Sequence, residues 1–314
     1  MRAISTALRV IALTFVLFVC YGIGSGIAMR GITQPAAGGS AAISLAVVCL
    51  LQTIVLSYLT IRSRWSGWRL MLAIFFIFYG VATFMPQIES AVFLTTQLPA
   101  GMVTRLFLMG FLVAAPFSVL AVIILGKRDA EPRENQPGTR LGVGAWKLVV
   151  IAIAYVILYF TFGYFVAWCN PAVREYYGGT DPGGFLAQMR NVVRDTPWLI
   201  PFQVFRAMCW VAIALPIVRM LKANWREIAL ALGVTFSVLM TALLLLPNPY
   251  MPEPVRMAHL AETGSSNFIF GLLVGWLLTR DEGRVARGEG RGGPLISSRN
   301  AIHKTKAGAI SLVS

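Results

Sequence analysis

Arg256, His259 and Glu262 lie within one short stretch, "PEPVRMAHLAETGSSNFIFGLL", at the entrance to the last apolar run of the chain. A histidine three residues from a carboxylate on a helix puts both side chains on one face, close enough to share a proton. An arginine one turn earlier adds a fixed positive charge suited to a carboxylate or a phosphate. With a helix starting at Pro254, a good first-turn residue, Arg256, His259, Thr263 and Ser266 fall at i, i+3, i+7 and i+10, again on one face. This chemistry serves two ends. One is acid/base catalysis, with His259 as the acid or base and Glu262 orienting it; the other is recognition of a charged solute.

Other polar residues sit in similar settings. Tyr79, Thr83, Gln87 and Ser90 are spaced i, i+4, i+8 and i+11 in an otherwise apolar run, with Glu89 beside them and Pro86 permitting a bend. Arg105 lies one turn into the fourth apolar run and Arg206 two turns into the sixth. The candidate binding set is therefore Gln87, Glu89, Arg105, Arg206, Arg256, His259, Glu262, Ser266 and Asn267. Three arginines face two acids, and the surplus positive charge predicts a small anionic or zwitterionic solute, or a lipid headgroup. The competing account is internal: Glu89 and Glu262 neutralise the arginines and lock helices together.

Several chemistries are excluded. Only two histidines occur, His259 and His303, so bis-histidine haem and multi-histidine zinc sites are out. His259 with Glu89 and Glu262 is the one set suited to a divalent ion, and no metal or cofactor is expected. HExxH, GxSxG and GxxxxGK[ST] are all absent. Cys20, Cys49, Cys169 and Cys209 show no CxxC spacing and read as packing residues.

The elements that must position these residues are set by composition. The chain has 314 residues, is 57% hydrophobic and only 13% charged, with mean hydropathy +0.71. Soluble domains are about one quarter charged. The expected class is an all-α integral membrane protein. Net charge is +14, but the basic residues cluster in short segments between apolar runs. That makes them a topology signal, and no nucleic-acid partner is expected.

Eight transmembrane helices are expected, near 7–29, 41–61, 70–90, 101–126, 146–168, 200–219, 227–247 and 262–280. The eighth is unusual. Its uninterrupted apolar part covers only Phe268 to Thr279, so a full span must begin near Glu262 and carry Thr263, Gly264, Ser265, Ser266 and Asn267 with it. Such groups need partners or a wet cavity. Gly264 with its two serines is the expected kink. Lys and Arg gather in alternate connections, leaving Arg30, Arg105, Arg174, Arg190, Arg194, Arg206 and Arg256 on the other side. Both termini are therefore expected in the cytoplasm, in the cell (inner or plasma) membrane. The first run also has the basic start and late small residues of a signal peptide, but its apolar part is long for one. The segment Asn170 to Trp198 reads as a lid or as a short helix near 184–193 on the membrane surface.

The halves resemble each other. "IRSRWSGWRLML" and "VRMLKANWREIAL" both place Trp-Arg the same distance after an arginine, at Arg62 to Trp68-Arg69 and Arg219 to Trp225-Arg226. They suggest a 4+4 internal duplication of parallel halves, with halves 1–127 and 146–280, a cytoplasmic linker 128–145 and a disordered basic tail 281–314. Alternatively, Trp and Arg simply collect at inner interfaces. The functional expectation is a transporter or permease. The alternatives are a membrane-embedded enzyme acting on a lipid-linked or phosphorylated substrate through His259 and Glu262, and a non-catalytic assembly or sensing protein.

Overall fold

A helix hydrogen-bonds its own backbone, which is why apolar runs of this length fold as helices in lipid. In the computed structural model, residues 2–32, 39–128, 143–181 and 183–285 are described. The long helices are α1 (Arg2–Ala28), α2 (Gly39–Ile61), α3 (Gly67–Phe93), α4 (Met102–Ile124) and α5 (Ala145–Trp168). Two short ones come next, α6 (Pro171–Tyr176) and α7 (Phe185–Asp195). Then come α8 (Leu199–Met220), α9 (Trp225–Leu245) and α10 (Glu253–Val285). The protein is an all-α polytopic membrane protein. Seven helices are long and apolar enough to cross a membrane, namely α1 to α5, α8 and α9. The eighth expected span lies inside α10, whose polar first half lowers its hydropathy. The linker and tail fall largely outside the described residues, although α10 runs on to Val285.

Local chemistry sets the helix ends. Asn170 caps α6 by accepting from the Ala172 amide, with Pro171 in the first turn. Asn224 caps α9 by accepting from the Glu227 amide. Gly126, at φ 75°, adopts the left-handed turn that ends α4.

Two helices are irregular near the polar end of the bundle. Helix α3 passes through a π turn at Gly80–Phe84, directly before Pro86. The wide turn absorbs the missing proline donor without a break. Helix α5 ends in a second π turn, Gly163–Trp168. Helix α10 runs unbroken through Gly264, the expected kink point. Ser265 Oγ bonds the Ala261 carbonyl and Ser266 Oγ bonds the Thr263 carbonyl, so both serines turn back onto their own helix.

Within the first half, α1 packs on α2 and α4, and α3 packs on α4. Within the second, α5 packs on α8 and α10, and α9 packs on α10. Across the halves, α2 meets α9, and α3 meets α8. The α9–α10 seam is the closest. A Cβ on Gly271 would lie 2.6 Å from the Gly233 Cα, and one on Gly275 would overlap Ala229. Association of helices in lipid relies on such small-residue seams, because apolar burial gives no drive there.

One end of the bundle is stitched shut by its connections. The segments after α2 and after α8 form an antiparallel bridge at Ser63 and Leu221. The Arg64 amide donates to the Met220 carbonyl at 2.7 Å, and the Lys222 amide donates to the Arg62 carbonyl at 2.9 Å. Glu227 then accepts from Arg62 at 2.7 Å and from Tyr58 Oη at 2.7 Å.

The seam gives a direct test. Gly271→Ala should cost about 1–3 kcal/mol, the usual cost of overpacking. Gly26→Ala, where an added Cβ meets nothing within 4 Å, should be neutral or stabilising. Apparent melting in detergent, read by size-exclusion recovery after heating, separates the two; equal melting would show that the seam tolerates a methyl group.

Candidate functional site

The end opposite the stitch holds a cavity of about 530 Å³. Its walls come from both halves: the last turns of α3, α5 and α9, the first turns of α8 and α10, and one side of α7. Glu89 and Ser90 come from α3, Tyr159 and Tyr164 from α5, and His259, Glu262 and Thr263 from α10. A small polar recess of about 30 Å³ continues inward from Glu89, Tyr159, Glu262 and Thr263 to Arg206, Ser266 and Asn267.

Glu89 and Arg206 form the floor. The guanidinium is 3% exposed and reaches both carboxylate oxygens, at 2.8 and 3.2 Å. It also donates to Gln203 Oε1 at 3.0 Å and lies 5.8 Å from the ring centre of Tyr155. Arg206 Nε and Gln203 Nε2 have no hydrogen-bond partner among the described residues.

His259 sits between two partners. Its Nε2 is 3.1 Å from Tyr177 Oη, and its Nδ1 is 2.8 Å from Glu262 Oε2. Burial pushes the Tyr177 phenol up from its ordinary value, so it stays protonated. In the neutral ring Tyr177 donates to Nε2 and Nδ1–H donates to Glu262; a protonated ring donates at both ends. The expected pairing of His259 with Glu262 is thus formed. Tyr177, placed by α6, completes a three-membered chain that ends in the cavity wall.

Other expected members are elsewhere. Arg105 donates to the carbonyls of Ala28 and Arg30, each at 2.9 Å, where it satisfies the end of α1. Arg256 is buried against the end of α9 and donates to the carbonyls of Leu244, at 2.8 Å, and Leu246. Both act as cations on orphan helix carbonyls, and neither lines the cavity. Gln87 is also outside the lining, with its Oε1 unpartnered among the described residues. The π turn inserts an extra residue into α3, so the stripe read at 3.6 residues per turn is offset between Thr83 and the residues after Phe84. Thr83 stays packed against Gly110 of α4, while Glu89 and Ser90 turn to the cavity. Among the described residues no group of three His, Cys, Asp or Glu is placed to hold a metal ion.

Polar spacing does not reveal the aromatic wall of α5. Tyr159, Phe160, Tyr164 and Trp168 line the cavity around Gly163. The sequence carries a signal for them in "YFTFGYFVAW", a run whose aromatic density exceeds what a plain span needs. The helix expected near 184–193 is α7, and its Gln188, Met189 and Val192 close one side of the cavity.

The chain matches no protein-family model, no curated protein and no solved structure.

The floor pair is testable by stability. Glu89→Gln strands a buried guanidinium and should cost about 3–5 kcal/mol. Arg206→Gln should cost less, because Glu89 is 30% exposed and rehydrates. The double variant should melt above Glu89→Gln alone. Strict additivity in detergent melting would mean that the two side chains do not couple.

Proposed function

We propose that this chain is a carrier-type membrane protein. The cavity between its halves takes up a small organic solute from the outer side. One observation supports the reading above the rest: residues of the two halves line a solute-sized cavity at one end, and their connections are bonded together at the other. A volume of about 530 Å³ is that of a small-molecule site and far exceeds a bare ion. Alternating access needs two halves that rock about a central site, with one end closed while the other is open.

The neighbour pattern supports repeated halves. The contacts α1–α2, α1–α4 and α3–α4 reappear as α5–α8, α5–α10 and α9–α10, and the cross-contacts α2–α9 and α3–α8 exchange under the same pairing. The bridge joins corresponding connections of the two halves, those after α2 and after α8, by reciprocal bonds from Arg64 to Met220 and from Lys222 to Arg62. We therefore assign two parallel four-helix repeats, related by an axis along the membrane normal.

The stitched end carries Arg62, Arg64, Arg69, Lys127, Arg219, Lys222 and Arg226, and belongs in the cytoplasm by the positive-inside rule. The cavity end then faces out. The Tyr177–His259–Glu262 chain also has the form of an acid/base relay, which is the observation behind the second reading, an enzyme at the outer leaflet. Chemical conversion of a bound solute distinguishes it from a carrier, which returns its solute unchanged.

Two labelling measurements test the carrier reading. Cys169 is exposed at the cavity end, whereas Cys20 and Cys49 are buried. A membrane-impermeant maleimide added to intact cells should label Cys169; labelling only after lysis would reverse the topology. In a background lacking the native cysteines, Thr263→Cys reports cavity access. Weakening the stitch with Glu227→Ala, or with Lys222→Pro, should lower its labelling rate by water-soluble reagents. A shift of 1.4 kcal/mol toward the other state corresponds to about tenfold in the population ratio. Rates unchanged in both variants would sink the carrier reading.

A further inference from the structure

We infer that the solute is an organic cation, an amine or quaternary ammonium carried on a small apolar body. The inference rests on the cavity being a solute site, as proposed above. The arginines expected to attract an anion are engaged. Arg105 and Arg256 satisfy helix-end carbonyls, and the Arg206 charge is matched by both oxygens of Glu89. No free cation therefore lines the cavity among the described residues.

Negative charge, in contrast, is available. Glu262 gives Oε2 to His259, and no protein donor among the described residues reaches Oε1. That oxygen lies against Gly163, where a Cβ would be 3.7 Å away. The glycine leaves the carboxylate uncovered on the cavity side. The rings of Tyr159, Tyr164, Trp168 and Tyr177 line the same cavity, with Trp168 stacked on Tyr177 and Arg206 already over Tyr159. Aromatic rings are electron-rich on their faces and attract an ammonium group, strongly so when water is excluded. Rings and one carboxylate together select a cation that is also apolar; a hydrated inorganic ion gains little from such walls. An anion placed here meets Glu262, and the nearest cationic groups, His259 and Arg206, are already bonded to carboxylates.

The probes are trimethyl(2-phenylethyl)ammonium and its anionic counterpart of similar size, 3-phenylpropionate. Binding of each is measured by isothermal titration on the full-length protein in lipid nanodiscs. The ammonium should bind and the carboxylate should not. Glu262→Gln should weaken ammonium binding by about tenfold or more. Gly163→Leu, which covers Oε1 while leaving the His259 contact in place, should weaken it similarly. It serves as the working variant if Glu262→Gln does not fold. Carboxylate binding at least as tight as ammonium binding overturns the inference. So does ammonium binding that ignores both substitutions. If neither probe binds while weakening the stitch still alters Thr263→Cys labelling, the ligand class is wrong and the carrier reading stands. If labelling is also unmoved, both fall.

Discussion

A guanidinium that is only 3% exposed must be neutralised where it stands, and Glu89 does this for Arg206 through both carboxylate oxygens. Desolvating both ions is costly, so the contact is tolerable only with full geometry and further hydrogen bonds. Gln203 supplies one of these, and the rings of Tyr155 and Tyr159 face the remaining charge. The pair joins α3 of the first half to α8 of the second, and so fixes the distance between halves at the cavity floor. It also decides the sign of the site. Once Arg206 is matched, the cavity keeps the carboxylate of Glu262 and no spare cation among the described residues.

That arrangement demands two unusual helices. Helix α3 has to bring Glu89 to the cavity while still burying Thr83 against Gly110, and a regular helix cannot serve both contacts. The π turn at Gly80–Phe84 rotates the end of the helix and allows both. Helix α10 has to carry a polar first half along the cavity and still be held in the bundle. Its glycines let α9 approach to backbone contact, so dispersion along the seam does the work that apolar burial cannot do in lipid. The polar face and the small-residue face are separate stripes of one helix.

The all-α membrane class and the positions of seven long apolar helices were legible in the sequence, because hydrocarbon imposes one length and one backbone solution; the eighth expected span is not among the seven helices apolar enough to cross. The short apolar run from Phe268 to Thr279 also placed Glu262, Ser266 and Asn267 inside a helix, and they line the cavity or its recess. A uniform helical period does not hold across the π turn of α3, so Thr83 packs on α4 while Glu89 and Ser90 face the cavity. Counting charges misled. The arginine surplus was real in composition, but Arg105 and Arg256 are directed at carbonyl oxygens, acceptors that a tally of acids and bases does not include. The aromatic wall went unread because an aromatic residue inside an apolar run costs nothing and so looks like filler.

Arginine thus has three different positions in one fold, and helix ends separate them. At Arg105 and Arg256 the nearest unmet need is the open end of a neighbouring helix, where the last carbonyls have no intrahelical donor. At Arg206, two turns inside α8, the carbonyls of its own helix are already bonded, and only a carboxylate can answer the charge. At Arg62 the partner is again an acid, Glu227, but there the side chain is 44% exposed and the contact is screened. Depth along the helix thus separates Arg105 and Arg256, which answer carbonyls near helix ends, from Arg206, which answers a carboxylate inside. Among these interior charges Glu262 stands apart. It lies more than two turns into α10, where the helix offers no open amide, and its one side-chain partner among the described residues is a histidine whose charge depends on protonation. An interior carboxylate without a permanent cation is costly to keep, and the proposed cationic solute would relieve that cost.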